Sequence, residues 1–79
     1  MDLPHKPAVP VRAVVKWYRA DRGFGFVELA DGSGDAFLHG AVLGRIGIQT
    51  VEAGDVLEVR IEPGQRGPQV TEVLSVTAS

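Results

Sequence analysis

Within residues 54–62, GDVLEVRIE, apolar and charged residues alternate without a break from Leu57 to Glu62. Leu57, Val59 and Ile61 fall on one parity, and Glu58, Arg60 and Glu62 on the other. Successive side chains of a strand point to opposite faces, so this pattern predicts a strand with one face in a core and one in water. Four more runs read as strands. Residues 11–20 (VRAVVKWYRA) are rich in β-branched and aromatic residues, which suit a pleated surface. Residues 23–30 (GFGFVELA), 35–39 (DAFLH) and 69–76 (QVTEVLSV) complete the set. Turn-forming residues separate them: Asp21-Arg22-Gly23, Asp31-Gly32-Ser33-Gly34, and residues 63–68 (PGQRGP). Residues 40–50 have room for one helical turn, and no segment sustains a helical period. Many short strands in a small chain predict a sandwich or a closed barrel, and closure of five strands also removes exposed edges.

The second and third strands pose a question. In RGFGFVEL (22–29), Val27 and Leu29 share one parity, and Phe24, Phe26 and Glu28 share the other. In DAFLH, Phe37 and His39 oppose Leu38. With Val27, Leu29 and Leu38 facing the core, Phe24, Phe26, Phe37 and His39 face water. A hairpin around Asp31–Gly34 sets these four rings side by side, and Trp17 on the first strand can join them. The reverse assignment, with the rings inside, forces Val27, Leu29 and Leu38 into solvent together. Gly23 and Gly25 leave the backbone open to close approach of a ligand.

Composition sharpens this picture. All five Phe, Trp and Tyr residues lie between positions 17 and 37, so they are not spread through a core. Net charge is −2, which on its own argues against a phosphate-bearing partner. The distribution says otherwise. Arg12, Lys16, Arg19 and Arg22 face one acid, Asp21, over residues 12–22, whereas acids dominate residues 28–62. The basic end is the aromatic end. Aromatic rings beside cations form a stacking platform for single-stranded nucleic acid, because every base has a π-face.

Size and composition also exclude. The 79 residues suffice for one domain, which buries only roughly 60% of its unfolded surface and has no room for a large catalytic cleft. The absence of cysteine removes disulfides, thiolate metal sites and thiol catalysis, and is compatible with a reducing cytoplasm. No apolar run approaches the roughly 20 residues of a membrane helix, and the N-terminus lacks a signal-type apolar segment. Pro4, Pro7 and Pro10 make residues 1–10 an expected extended tail or linker, with the domain at 11–79. His39 has no His or Cys neighbour and reads as a ring, not a metal ligand. Asp31 and Asp35 flank a tight turn, where Asp is favoured for backbone hydrogen bonding. No constellation supports an enzyme, and no cofactor is expected.

Three stretches in order, VVKWY (14–18), RGFGFVE (22–28) and DAFLHG (35–40), resemble the opening strand and the two ribonucleoprotein motifs of the cold shock domain family. Residues 44–73, including RGPQ (66–69), resemble its second half. The resemblance implies an all-β, five-stranded antiparallel OB-fold barrel. It also implies a cytoplasmic bacterial protein that binds single-stranded RNA and DNA with little sequence preference and acts as an RNA chaperone. Pyrimidine-rich strands and a monomeric state are expected with it. By the same resemblance, Trp17, Phe24, Phe26, Phe37 and His39 match base-stacking positions. Lys16 and Arg22 match cations on the strand, and Asp35 an acid that bonds a base edge. Arg66, Gly67, Pro68 and Gln69 match the turn bordering the binding face, and Tyr18 an aromatic that is part core, part site. Arg19 is either a solvated charge or an extra phosphate contact. Two positions depart from the family pattern: Gly40 and Ile48 stand where aromatics are common. Each absent stack removes about 1–3 kcal/mol, so a shorter footprint or weaker binding is expected. The alternative from another class is a protein-interaction module, such as one domain of a longer chain, that offers its aromatic face to a peptide.

Overall fold

In the computed structural model the described residues are 9–65 and 67–78; residues 1–8 of the tail expected at 1–10, and Arg66 of the turn expected to border the binding face, lie outside them. Five strands form: β1 (Val11–Arg19), β2 (Phe24–Leu29), β3 (Asp35–His39), β4 (Val56–Gly64) and β5 (Gly67–Thr77). One short helix, α1 (Gly40–Gly44), follows β3, at the single helical turn foreseen within residues 40–50. The strands close into a barrel in the order β1-β2-β3-β5-β4. Four of the contacts are antiparallel. The seam between β3 and β5 is parallel and rests on one pairing, Phe37 opposite Gln69.

The alternation in the sequence is realised. Ala13 and Val15 of β1, Val27 and Leu29 of β2, Ala36 and Leu38 of β3, and Leu57 and Val59 of β4 are buried. Val70 and Val73 of β5 join them, and Val42, Leu43 and Val51 close the barrel end. Ile61, expected inside with Leu57 and Val59, packs against this cluster but is only half-buried. Losing a fully buried leucine such as Leu38 or Leu57 would cost about 2–5 kcal/mol, a large share of what so small a domain has.

Three local devices shape the barrel. The β2–β3 turn is held by Asp31, whose Oδ1 accepts from the Ser33 amide at 2.9 Å and the Ser33 hydroxyl at 2.6 Å. Those bonds, the hydroxyl first, keep the Asp31 carboxyl below its ordinary value of 3.8. The second device is a bulge in β1. Val15 pairs with Val27, but the next pairing is Trp17 with Phe26, so Lys16 is an extra residue. The third is Gly25, buried in β2 opposite Tyr18. A Cβ there would overlap the Trp17 carbonyl oxygen and lie 2.7 Å from Tyr18 Cα. The sequence suggested that Gly25 and Gly23 leave room for a ligand. Gly25 instead leaves room for the bulged strand, and Gly23 adopts φ 74° in the β1–β2 turn.

Gly25→Ala therefore forces β1 and β2 apart. We expect a loss of about 3 kcal/mol, at the upper end for overpacking, read as a lower urea midpoint. The Asp31 turn adds a pH dependence. Its depressed carboxyl means that the unfolded state binds the proton first, so this contribution is complete above the ordinary value of 3.8 and disappears as pH falls through the lower folded value. Urea midpoints measured across that acid range should fall less steeply for Asp31→Asn than for the parent chain.

Candidate nucleic-acid interface

Residues directly opposite in an antiparallel pair point to the same face. Phe26 lies opposite Phe37 and Phe24 opposite His39, so the β2–β3 hairpin presents these four rings outward, backed by Val27 and Leu38. Trp17 needs the bulge to join them. Ala13 and Val15 point inward, and strict alternation would send Trp17 after them. The extra residue reverses the parity and brings Trp17 opposite Phe26, where it is 40% exposed. The same shift turns Tyr18 toward the barrel, half-buried against the core and opposite Gly25.

The result is a continuous aromatic surface. Trp17 meets Phe24 edge-on, with ring centroids 5.6 Å apart, and Phe26 at 5.4 Å. Phe37 stacks on Phe24 at 5.9 Å and meets Phe26 edge-on at 5.7 Å. His39 follows at 6.2 Å from Phe37. Adjacent rings cover one another's edges, so Phe24, Phe26 and Phe37 are half-buried while their outer faces remain open. The rings restrain one another, which lowers the entropy cost of holding them flat against a ligand.

His39 has a second role that sequence reasoning missed. Its Nδ1 accepts from the Ala41 amide at 3.0 Å and so caps α1. That bond leaves the ring proton on Nε2 and fixes the ring's direction. Histidine is not among the preferred capping residues, which is why the pattern gave no signal.

Charge surrounds the rings unevenly. Lys16, the bulge residue, donates to Asp35 at 3.0 Å. This hydrogen bond, with the added charges of Asp35 and Glu28, raises the Lys16 ammonium above its ordinary value of 10.5. Lys16 and Asp35, expected as separate contacts, are thus one ion pair at the Phe26–Phe37 edge. Glu28 lies opposite Asp35, so Lys16 also offsets two neighbouring carboxylates. Arg19, opposite Phe24, and Arg22, in the β1–β2 turn, are exposed, and no described residue pairs with either side chain. Both remain available to phosphates.

The β4–β5 hairpin borders the rings at Phe37. Gly67 and Gln69, with Phe37 and Gln65, line an open cleft of about 260 Å³. Pro68 alternates to the other flank and lines an apolar groove with Ile61 and Pro63. Ile48 is half-buried against the core cluster. Gly40 has no room for a side chain, because a Cβ would lie 2.6 Å from the Tyr18 hydroxyl and 3.1 Å from the Gly23 carbonyl oxygen. Among the described residues no cluster of three or more His, Cys, Asp or Glu is placed to hold a metal ion. No helix among them is long and apolar enough to cross a membrane.

Comparison with known proteins gives the same direction. The profile of the family described as the 'Cold-shock' DNA-binding domain matches residues 11–76. The cold shock-like protein CspC of Shigella flexneri is 36% identical over 66 residues, covering 84% of this chain and 96% of that protein. The cold shock protein CspA of Staphylococcus aureus (strain USA300) is 35% identical over 65 residues, covering 82% of this chain and 97% of that protein. A closed five-stranded barrel, an outward row of rings and a match spanning nearly all of the barrel agree, and the chain belongs to the cold-shock DNA-binding domain family.

Proposed function

We propose that this protein binds unpaired RNA and DNA with little sequence preference by stacking bases on Trp17, Phe24, Phe26, Phe37 and His39. The observation that carries this reading is the unbroken run of five rings on the outer face of β1–β3, with the exposed cations Arg19 and Arg22, which no described residue pairs with, next to it in the chain. Each stack contributes about 1–3 kcal/mol and is tolerant of sequence, because any base offers a π-face. Lys16, Arg22 and Arg66 add screened attraction to phosphates, and Asp35 and Gln69 supply polar atoms for base edges. Pyrimidine-rich strands, whose small bases unstack easily, suit such a platform.

The mechanism requires no nucleotide hydrolysis and no cofactor. A monomer in the cytoplasm captures unpaired strands, and duplex regions melt because the captured form is withdrawn from the pairing equilibrium. This is the work of an RNA chaperone. It involves no bond breaking, so the protein is a binder and not an enzyme. The face lacks aromatics at Gly40 and Ile48, which shortens the platform. Weaker binding than a fully aromatic face follows, by about 1–3 kcal/mol for each missing stack.

Titrating a pyrimidine-rich single-stranded heptamer against Trp17 fluorescence tests this reading. Saturable quenching is expected, with Phe26→Ala weakening the affinity by about 5- to 150-fold, the equivalent of one stack. With three phosphates neutralised, the log–log slope of affinity against salt should be about −2. No quenching up to high micromolar oligonucleotide, from a folded protein, would contradict the proposal and favour a peptide-binding face.

A further inference from the structure

Tyr18 ends in a polar atom that no described residue bonds. Its ring lies opposite Gly25 and packs on the core, and its hydroxyl reaches the rim where Gly40 donates to the Gly23 carbonyl at 2.7 Å. The built Cβ of Gly40 would sit 2.6 Å from Tyr18 Oη. No described residue hydrogen-bonds that hydroxyl. It is not sealed from water either, since no half-buried or buried side chain among the described residues has a polar atom both enclosed and unpartnered. A hydroxyl held by a packed ring, not sealed from water and lacking a described partner, has a fixed position and an unmet hydrogen-bonding capacity. Such an atom costs nothing in water, and it gains only if something else binds to it.

Its surroundings say what that would be. Gly40 follows His39 directly, and His39 lies opposite Phe24 at the end of the ring row. With no side chain at position 40, nothing projects over the hydroxyl from that side. A nucleotide stacked on His39 would be one residue from the backbone against which the hydroxyl lies. Phenolic oxygen both donates and accepts, so it suits a base edge or a sugar hydroxyl equally.

We infer that Tyr18 Oη, which lies against the bare Gly40 backbone, is the floor of a polar subsite that hydrogen-bonds the nucleotide stacked on His39. The chain thus replaces a sequence-tolerant ring at one end of the platform with a group that reads polarity. This inference rests on the stacking function proposed above.

The test is Tyr18→Phe, which keeps the ring and removes the oxygen. The same single-stranded heptamer is titrated against the parent chain, Tyr18→Phe, His39→Asn and the double variant. Asparagine at 39 keeps a capping acceptor while removing the ring. Tyr18→Phe should weaken binding about fivefold, the worth of one net hydrogen bond, with an unchanged urea midpoint. In the His39→Asn background the same change should cost nothing, because the nucleotide is no longer held there. Heptamers carrying one abasic residue at each position in turn separate the two sources. A penalty that vanishes at one position marks a base edge, and one that survives at every position marks the sugar–phosphate. Equal affinity of the parent and Tyr18→Phe would overturn the subsite alone, as would an equal penalty in both backgrounds or a lowered urea midpoint. A parent chain that binds no heptamer would overturn the function proposed above as well.

Discussion

The close approach of β1 to β2 over Gly25 is the contact on which the rest of the site depends. At that point β1 carries one residue more than its partner, and the backbone of Trp17 and Tyr18 presses into space that any side chain at position 25 would fill. The extra residue does three things at once. It moves Trp17 from the core parity to the outer face, it turns Tyr18 inward, and it sets Lys16 at the edge of the rings within reach of Asp35. Bulges re-aim side chains in this way at the cost of one interrupted ladder position. Here the interruption creates the first member of the aromatic surface.

That surface is possible only because the core lies directly behind it. Phe26 and Phe37 are adjacent on the outer face, and Val27, Ala36 and Leu38 fill the inner one. A slip of one residue in the β2–β3 register would exchange the two sets, so the stability of the barrel and the placement of the rings are the same constraint. The electrostatics follow from position and not from net charge. The chain is acidic overall, yet Arg19 stands opposite Phe24 and Arg22 in the neighbouring turn, neither with a described partner, while Lys16 is held by Asp35.

The faces of β2, β3 and β4 were legible in the sequence because each alternates over several residues: Val27 and Leu29 against Phe24 and Phe26, Leu38 against Phe37 and His39, Leu57 and Val59 against Glu58 and Arg60. The turn at Asp31 was legible for a different reason, since Asp-Gly-Ser-Gly states its own hydrogen bonding. Four features were not. A bulge leaves no mark in periodicity, and Ala13 and Val15 alone place Trp17 inside. The parallel seam between β3 and β5 is one pairing between Phe37 and Gln69, too short for any pattern. The capping bond of His39 uses a residue type that seldom caps. The purpose of Gly25 depends on the backbone of Trp17 and Tyr18 across the β1–β2 hairpin, and the crowding at Gly40 on Tyr18 and Gly23, contacts that only the folded strands create.

The most direct measurement of the central claim is a backbone amide NMR titration of the protein with a single-stranded thymidine heptamer. The account predicts shifts concentrated on residues 16–26, 35–40, 67 and 69. Amides of the opposite wall, around Arg12, Glu58 and Ser75, should stay in place. Shifts centred on that opposite wall, or none at any residue while the protein remains folded, would contradict it.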